Sequence, residues 1–592
     1  MNTELIKNVF EHSNARYMKS SELASEFIWT DSFQRLLNPT NHIILGARGS
    51  GKTVLVRMLS HENLASLKHP YAQSIISKKT FIATYIPLRI EWVSGIKDID
   101  DSNLSLFKWC LNVSSCARFI DTIKSCINEY IESDIEKQIT SVNISREISQ
   151  IWFDKKISSL DEITQEISRI EILKNISFNK MKLGVPLNDE EVIIGISFAS
   201  ELFQPLLTAI NILSKYIKTD ESTTWSVCLD EAEFLEEIHH KLLNTHMRSY
   251  SKIIFKITTM PYRHYTLETF SNVNINEHHD FEYIYIDQLG MLGKKRHEID
   301  DVISRFATDL FKKRTDALNM DMSLYSLLGH SELLDIPNMN LEKENVLQLI
   351  LKHCDEKTIK RAHRLYDTPD FNDQIERKLR GSLILKDEYQ NMRGATQLDK
   401  FSGVKMAIRC TDGNPRRLLN LFNRLFHRAI ELNAVKKSIT PKLSGKEQTK
   451  VFRSFSLAEL ETLKNEAHGL NAYKLIDAIG SYFKEKFHDE KITTDTTTSF
   501  TTEDSENNDL WDEIKLAVDL GLIFPDLKKE SGGNKLPVLS GTFHLSFCLF
   551  PHYYLLPRRG RSIRLKRILN RTRKPYRAEI PTILQMELFP DD

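Results

Sequence analysis

Eight consecutive residues near the start of the chain have the composition of a phosphate-binding loop: Gly46-Ala47-Arg48-Gly49-Ser50-Gly51-Lys52-Thr53. They follow the apolar run 43–45 and precede the helical pattern 54–59, which is the strand–loop–helix context that such a loop requires. Glycines let successive backbone N–H groups surround an anion, and the start of the helix adds partial positive charge. Lys52 is expected to reach the β- and γ-phosphates, and the Thr53 hydroxyl to ligate Mg²⁺. The loop therefore predicts a nucleoside triphosphate site, with binding residues Gly46, Gly49, Ser50, Gly51, Lys52 and Thr53.

A pair of carboxylates follows a later apolar run. Residues 225–229, Trp-Ser-Val-Cys-Leu, are typical of a buried parallel strand, and Asp230 and Glu231 come directly after them. Because the carboxyl ends of such strands face the ligand, Asp230 is expected to hold Mg²⁺, directly or through water, and Glu231 to polarise the attacking water. The alternative is that both acids only begin the helical pattern 232–250, where the helix dipole favours them. The phosphate loop upstream favours the catalytic interpretation.

Two further segments end in polar residues that could contact a nucleotide. The run 252–257 is typical of a strand and leads into Thr258 and Thr259. Either hydroxyl is placed to contact the γ-phosphate and the water, although both would also suit the start of an ordinary capped loop. Much later, residues 413–417, Gly-Asn-Pro-Arg-Arg, open an amphipathic helix, with Asn as its cap and Pro in its first turn. Arg416 then projects from the first helical turn, where it could reach a γ-phosphate held by another domain.

The ordered set GARGSGKT, VCLDE, KITT and GNPRR resembles the AAA+ ATPases of the origin-recognition/initiator-like clade. The resemblance covers about residues 25–560. It implies an α/β fold, with a P-loop AAA+ core made of a parallel sheet and flanking helices. A helical lid and a C-terminal winged helix are expected to follow that core.

The same resemblance assigns roles to the candidate residues, with ATP and Mg²⁺ as cofactors and ATP at the subunit interfaces of a homo-oligomer. The implied roles are Lys52 and Thr53 at the phosphates, Asp230 on magnesium with Thr53, Glu231 as catalytic base, Thr258 or Thr259 as first sensor, and Arg416 as second sensor. An arginine finger for the neighbouring subunit is expected between the third helix and the last core strand. Arg263 lies closer to the usual place, and Arg248 is the alternative.

The length of 592 residues suffices for about three or four domains. We expect a helical lead-in (1–40), the nucleotide-binding core (41–290), a lid with the second sensor (291–435), a winged helix (445–556) and a basic tail (557–592). The core is interrupted by a helical insertion at about 92–220, where residues 106–131 and 202–217 have helical patterns. Large insertions of this kind resemble bacterial initiator-like ATPases associated with mobile elements and defence loci.

The C-terminal module has the order of a winged helix. Helical patterns at 457–467, 472–487 and 510–520 are followed by apolar runs at 522–524 and 543–547. Residues 493–508, rich in Thr, Ser and Asp, are expected to form a disordered loop. Such a domain binds duplex DNA in many proteins, although packing against a neighbouring protein is the alternative.

Two features of the tail suggest partners. Residues 558–577 include ten cations and no acidic residue, so the winged helix and tail are predicted to bind DNA with strong salt dependence. The last pattern, Gln585 to Phe589, resembles the peptide by which bacterial replication proteins dock on the sliding clamp. A small apolar plug folded onto the body is the alternative for that peptide.

Composition excludes several other classes of protein. With 41% hydrophobic and 27% charged residues the chain is ordinary for a globular protein, and no run approaches the length of a membrane span. The first residues do not have the pattern of a signal peptide, so we expect a cytoplasmic protein without a membrane partner. Seven scattered cysteines without a C-x-x-C pair indicate reduced thiols, not a zinc or disulfide site. His239 and His240 are expected on a helix surface, with a structural role.

The leading hypothesis is an ATP-hydrolysing AAA+ switch that oligomerises and engages DNA or a nucleoprotein target. It would act with a separate effector protein, in anti-phage defence or mobile-element control. The alternative is a nucleotide-gated scaffold that docks proteins with little turnover. A monomeric P-loop kinase is disfavoured by the GNPRR motif and by the lack of an evident acceptor site.

Overall fold

The computed structural model describes residue 10 and residues 18–94, 100–249, 252–286, 296–317, 322–335, 343–392, 399–436, 442–493, 496–502, 510–526 and 541–571. All four nucleotide-binding motifs fall within these ranges. The peptide Gln585 to Phe589 and three cations of the tail lie outside them: Arg573, Lys574 and Arg577. Over the described ranges, no helix is both long enough and apolar enough to cross a bilayer.

Five parallel strands form the central sheet, in the order β2-β3-β4-β1-β5. They are β1 (His42–Leu45), β2 (Phe81–Pro87), β3 (Thr224–Asp230), β4 (Ile253–Thr259) and β5 (Glu282–Tyr285). Most of their residues are buried, as expected for a parallel sheet covered on both faces. Leu45 pairs with Thr259, so β1 and β4 end side by side, and Asp230 ends the neighbouring β3. The predicted α/β core with a parallel sheet is confirmed, and its strand ends meet at one edge.

Helices from the first half of the chain flank this sheet. They are Ser20–Glu26, Asp31–Leu36, Lys52–Met58, His61–Ala65, Pro70–Lys78 and Glu237–Ser249, with a 3₁₀ turn at Ala232–Phe234. The expected surface location of His239 and His240 is wrong, because both side chains are buried. The ring of His239 lies 4.5 Å from that of Phe107, and the ring of His240 lies 4.9 Å from that of His264. The insertion and the loop after β4 therefore cover this part of the helix.

Between β2 and β3 the chain forms a helical insertion. Its helices are Glu91–Ser94, Asp100–Tyr130, Asp134–Phe153, Leu160–Lys182, Asp189–Ile193 and Gln204–Ile217, with a 3₁₀ turn at Ile196–Phe198. The patterns predicted at 106–131 and 202–217 correspond to two of these helices. Phe119 and Ile123 belong to the same apolar cluster as Ile82 and Val227 of the sheet, so the insertion extends the core of the nucleotide-binding domain.

Residues 296–436, which follow β5, are those expected to form the lid, and we call them the lid region. Its helices are Arg296–Asp316, Leu324–Leu328, Lys343–His353, Glu356–Leu365, Arg377–Asn391, Val404–Arg409 and Pro415–Lys436, with a π-helical turn at Asn372–Glu376. The ring of Phe10 lies 5.2 Å from Phe311, 5.9 Å from Phe422 and 5.5 Å from Phe426. This aromatic cluster attaches an N-terminal residue to the lid.

The C-terminal region, residues 442–571, combines helices with a second sheet. The helices are Gly445–Glu461, Gly469–Asp489, Trp511–Asp519, Phe550–Tyr553 and Leu565–Arg571, with 3₁₀ turns at Thr462–Asn465 and Phe547–Leu549. The strands are β6 (Thr497–Thr502), β7 (Ile523–Pro525), β8 (Gly541–Leu545) and β9 (Arg561–Arg564), in the order β7-β8-β6-β9.

Strand β6 corrects the expectation of a disordered loop at 493–508 for residues 497–502, while 494, 495 and 503–508 lie outside the described residues. It pairs antiparallel with β8 and parallel with β9. Phe500 is fully buried and stacks on Phe543, with ring centroids 5.5 Å apart. Threonine suits an extended backbone because it is β-branched, and the buried Phe500 adds an apolar contact to the pairing on both sides. The parallel pairing with β9 also places the beginning of the basic segment inside the fold.

One apolar cluster is shared by the lid and the C-terminal region. Leu421 and Phe426 of the lid helix Pro415–Lys436 belong to the same buried cluster as Phe455 and Ile479. Separating the two regions would expose this apolar surface to water. They therefore form one continuous body.

Candidate nucleotide site

The phosphate loop lies between β1 and the helix Lys52–Met58. Gly49 and Gly51 have φ angles of +83° and +95°, in the left-handed region that favours glycine. The N–H of Gly46 donates to the carbonyl of Thr259 over 3.4 Å, so the loop begins against the end of β4. The glycines at these positions are required by the backbone path.

Lys52 is the cation beneath this loop. It is only 7% exposed, and its Nζ donates to the carbonyls of Gly46 at 2.7 Å and Ala47 at 3.3 Å. Ser50 is also buried, and its Oγ has no hydrogen-bond partner among the described residues. Thr53 lies half-buried in the first turn of the following helix. The loop thus combines an ammonium with an unsatisfied hydroxyl, which suits an anionic ligand.

The acidic end of β3 is fixed by hydrogen bonds from two strands. Asp230 is fully buried. Its Oδ1 accepts from the Thr258 hydroxyl at 2.6 Å and its Oδ2 from the Tyr85 hydroxyl at 3.0 Å. Thr258 Oγ1 also accepts the N–H of Glu231 at 2.9 Å, and Glu231 has a φ of +68°. Thr258 therefore holds both acids of the motif in place.

Thr259 differs from Thr258 in its environment. Its Oγ1 is buried and has no hydrogen-bond partner among the described residues, while its carbonyl accepts from the phosphate loop. Successive side chains of a strand point to opposite faces. Of the two candidates, Thr259 has the hydroxyl that remains available to a ligand.

The GNPRR segment of the lid packs directly on the phosphate loop. Asn414 caps the helix Pro415–Lys436, since its Oδ1 accepts the N–H groups of Arg416 at 3.1 Å and Arg417 at 3.2 Å. Its Nδ2 donates to the carbonyl of Arg48 at 3.1 Å, and the N–H of Arg416 donates to the carbonyl of Gly49 at 3.3 Å. A Cβ atom at Gly49 would lie 2.9 Å from the Cβ of Arg416. Close approach of the lid therefore requires this glycine.

Arg417 joins the same segment to the C-terminal region. It is 4% exposed, and its Nε donates to Glu459 Oε2 at 2.7 Å. Its Nη1 and Nη2 donate to the carbonyls of Gly521 at 2.9 Å and Leu520 at 3.0 Å. Asp412, 3.5 Å from Nη1, completes a buried charged cluster. Burial raises the pKa of the Asp412 carboxyl, whereas the Arg417 charge lowers it.

A residue of the C-terminal region reaches the phosphate loop itself. The carbonyl of Asp519 accepts the N–H of Arg48 at 2.7 Å. Its Oδ2 accepts from Arg263 Nε at 2.9 Å and Nη2 at 2.7 Å. Asp519 is 5% exposed, and Oδ1 has no partner among the described residues. Burial raises the pKa of this carboxyl, against the lowering influence of Arg263, Lys52 and Arg48.

The two finger candidates lie in different environments. Arg263 pairs with Asp519 of its own chain and also donates to the Tyr265 hydroxyl at 3.3 Å. Arg248 is exposed and donates to the carbonyl of Asn274 at 2.9 Å. Arg263 is therefore the candidate that is paired with a residue in contact with the phosphate loop.

Glu233 adds a third carboxylate beside the acidic motif. Burial raises the pKa of its carboxyl, while the charge of Lys52 lowers it. Its Oε2 has no partner among the described residues. The charges of Lys52 and Glu233 are thus close enough to influence each other.

Sequence analysis assigned no role to four residues of this arrangement: Tyr85, Glu233, Arg417 and Asp519. Two of them adjoin recognised motifs, because Glu233 follows Asp230-Glu231 by two residues and Arg417 follows Arg416. Their nearness to the site could have been inferred from those neighbours alone. Asp519 stands almost 470 residues after the loop that it contacts, and no local pattern signals such a contact.

Chemically, the arrangement combines an anion-binding loop with fixed carboxylates and basic side chains from the lid. A family model described as ORC-CDC6-like matches residues 8–565. No match was found among curated proteins. The family match confirms the origin-recognition/initiator-like resemblance, and it suggests an AAA+ ATPase that binds nucleotide and acts in oligomeric assemblies. The chain belongs to the ORC-CDC6-like family.

Proposed function

We propose that this protein is an ATP-hydrolysing switch whose nucleotide binds where the core, the lid and the C-terminal region meet. The observation that carries the proposal is the direct contact between separate motifs. Gly49 of the phosphate loop bonds to the backbone of Arg416 at 3.3 Å. The loop also begins against the end of β4, whose Thr258 holds Asp230 at 2.6 Å.

In this proposal the phosphate loop and Lys52 bind the phosphates. The ammonium of Lys52 bonds to two loop carbonyls and would exchange these for phosphate oxygens, since charge-assisted hydrogen bonds are the stronger ones. The unsatisfied Ser50 hydroxyl supplies a further donor. Arg416, whose helix begins on the loop, serves as the second sensor.

Thr53 and Asp230 would hold Mg²⁺. Their oxygen donors fit the ion, because hard cations prefer oxygen ligands. Hydrogen bonds from Thr258 and Tyr85 fix the buried Asp230 carboxylate at the strand end. When bound, the ion neutralises charge on the β- and γ-phosphates.

Glu231 is the proposed general base for the attacking water. Its N–H is bonded to Thr258, which fixes its backbone next to Asp230. Because the Thr258 hydroxyl is engaged by both acids, we assign the first-sensor role to Thr259, whose hydroxyl has no partner among the described residues.

The proposal includes a homo-oligomer with ATP at its interfaces. Arg263 is the preferred arginine finger and Arg248 the alternative. Since Arg263 is paired with Asp519, it could reach a neighbouring subunit only after this ion pair opens. We therefore expect the protein to oligomerise when it binds ATP.

DNA, or a nucleoprotein, is the proposed target. The C-terminal region acts as a winged helix in this proposal, and exposed cations follow one another along β9 and the next helix: Arg561, Arg564, Lys566 and Arg567. A surface with this density of positive charge favours binding to the phosphate backbone of DNA. From sequence resemblance we add a separate effector protein, a role in anti-phage defence or mobile-element control, and clamp binding by Gln585 to Phe589.

The first test is the ATPase rate of the purified protein with and without double-stranded DNA, with mass photometry on the same samples. We expect turnover stimulated by DNA and ATP-dependent oligomers, and Lys52→Ala should abolish both. Tight ATP binding with negligible turnover, unaffected by DNA, would contradict the switch.

A nucleotide-gated docking scaffold is the second candidate. The observation in its favour is a set of exposed aliphatic side chains on the insertion, including Ile135, Ile172 and Leu183, because exposed apolar surface often marks protein contacts. Glu231→Gln separates the two functions. In a switch it abolishes turnover while ATP stays bound and oligomers accumulate, whereas in a scaffold it changes little.

A further inference from the structure

The turn that ends the helix Trp511–Asp519 is seated on the phosphate loop. We call Asp519, Leu520 and Gly521 the C-terminal turn. The N–H of Arg48 donates to the carbonyl of Asp519 at 2.7 Å, and a Cβ atom at Gly521 would lie 3.0 Å from the Cβ of Ala47. The guanidinium of Arg48 also pairs with Glu466 of the C-terminal region. The C-terminal region therefore contacts the loop through backbone, side chain and close packing.

The carboxylate of Asp519 places a negative charge near three cations of the proposed site, namely Arg263, Lys52 and Arg48. Arg263 Nε and Nη2 both donate to its Oδ2, at 2.9 and 2.7 Å. Lys52 and Arg48 are near enough to influence its ionisation. Oδ1 is buried without a partner among the described residues, so the carboxylate is incompletely satisfied where it lies.

A γ-phosphate would compete with this carboxylate. Both are oxyanions, and both suit the guanidinium of Arg263 and the ammonium of Lys52. Two anions beside the same cations repel each other strongly in a buried site, where solvent screens little. Moving the C-terminal turn away from the loop would relieve this repulsion, and the Arg48–Asp519 hydrogen bond and the Arg263–Asp519 ion pair are the contacts that would open.

We propose that Asp519 is an internal competitor of the γ-phosphate, so that ATP, unlike ADP, releases the C-terminal turn from the phosphate loop. This inference rests on the proposed function, since it requires a nucleotide at the loop. Release frees Arg263 from its partner in the same chain. It also makes the position of the C-terminal region depend on which nucleotide is bound.

The coupling is reciprocal. If ATP expels the turn, the turn weakens ATP binding by the same factor. A ligand shifts such an equilibrium only through a difference in its affinity for the two states. ADP lacks the γ-phosphate that competes with Asp519, so its affinities for the two states should differ little.

The test compares Asp519→Asn with wild type by titrating fluorescent analogues of ADP and of non-hydrolysable ATP in the presence of Mg²⁺. Asparagine keeps the shape and removes the charge. We expect on the order of tenfold tighter binding of the ATP analogue, with ADP affinity changed by less than about twofold. Glu513→Gln, in the first turn of the same helix, is the matched control and should bind like wild type. Equal or weaker binding of the ATP analogue by Asp519→Asn overturns the inference.

Hydrogen exchange of the wild-type protein gives a second readout that needs no variant. The ATP analogue should increase exchange across residues 511–523, whereas ADP should leave it unchanged. Protection of this segment by the ATP analogue would overturn the inference even if Asp519→Asn does not fold. If Lys52-dependent nucleotide binding is itself missing in wild type, the proposed function fails and the inference falls with it. If binding is present but both readouts are negative, only the inference fails.

Discussion

Arg416 and Arg417 are adjacent in sequence, yet they contact different parts of the molecule. The N–H of Arg416 donates to the carbonyl of Gly49 in the phosphate loop at 3.3 Å. The guanidinium of Arg417 donates to the carbonyls of Leu520 and Gly521 in the C-terminal region at 3.0 and 2.9 Å. Two consecutive residues of the lid region therefore contact the phosphate loop on one side and the C-terminal region on the other.

Replacing these arginines one at a time should separate activity from stability. Arg417→Met leaves the carboxylates of Glu459 and Asp412 buried without their cation, and should lower the free energy of unfolding by about 3 kcal/mol. Arg416 has an exposed side chain, so Arg416→Met should change stability by less than about 0.5 kcal/mol and reduce ATP turnover instead. Urea unfolding and steady-state ATPase assays measure the two effects. Equal destabilisation by both variants would contradict this division of roles.

The two threonines at the end of β4 should have different kinetic effects. Thr258→Val removes the hydrogen bond to Asp230 and the acceptor for the Glu231 N–H. Turnover should fall by about 10- to 100-fold, as is common when a partner that orients a metal ligand is lost. Thr259→Val removes a hydroxyl without a partner among the described residues, so its effect should appear only in the hydrolysis step. Single-turnover rates and nucleotide affinity distinguish the variants, and an unchanged rate for Thr258→Val would refute its orienting role.

Lys256 should make stability depend on pH. Its buried ammonium donates to the carbonyls of Asn38 and Thr40 and bonds to His42, and burial lowers its pKa to about 7. Above pH 7 the folded state then binds fewer protons than the unfolded state. Stability should therefore rise with pH by up to about 1.4 kcal/mol per unit, and be lost as pH falls through 7.

Thermal melting of wild type and Lys256→Met between pH 7 and 9 checks this sign. The melting temperature of wild type, relative to the variant, should increase over that range. Lys78→Met, at an exposed position at the end of a surface helix, serves as the control and should parallel wild type. A wild-type curve parallel to that of Lys256→Met would show that Lys256 keeps its proton.

The exposed cations of β9 and the following helix, which we call the basic face, should determine the salt dependence of DNA binding: Arg561, Arg564, Lys566 and Arg567. Arg564→Glu combined with Arg567→Glu removes two exposed cations from β9 and the following helix. The slope of log affinity against log salt should fall in magnitude by about 2. Fluorescence anisotropy with duplex DNA at several salt concentrations measures it. Lys360→Glu with Arg364→Glu, on an exposed lid helix, makes the same charge change elsewhere and should leave the slope unaltered.

Local patterns predicted the part of the fold that local chemistry determines. The strand, glycine loop and helix around Lys52 were predictable because backbone conformation at Gly49 and Gly51 demands glycine. Asp230 and Thr259 were predictable as strand ends because apolar runs stop there. In contrast, β6 was missed, since its burial depends mainly on Phe500 stacking on a residue 43 positions later.

The features that sequence patterns did not predict depend on contacts between segments that are far apart in the chain. His239 and His240 are polar residues near the start of a helix, and rings from other elements, including Phe107 and His264, pack against them. The link between Arg48 and Asp519 depends on the relative placement of two regions, which no local pattern encodes. The different environments of the Thr258 and Thr259 hydroxyls likewise depend on how β4 packs beside β3, because Thr258 bonds to Asp230 at the end of β3.

The apolar cluster that joins Leu421 and Phe426 to Phe455 and Ile479 has a mechanical consequence. A lid that rotates on a rigid joint carries everything packed against it, and the helix that starts on the phosphate loop would be the pivot. The helix Leu565–Arg571, which carries basic side chains such as Arg567, joins the same cluster through Leu565 and Ile568 and would move with the lid. A small tilt at the loop would thus displace the basic face together with the lid.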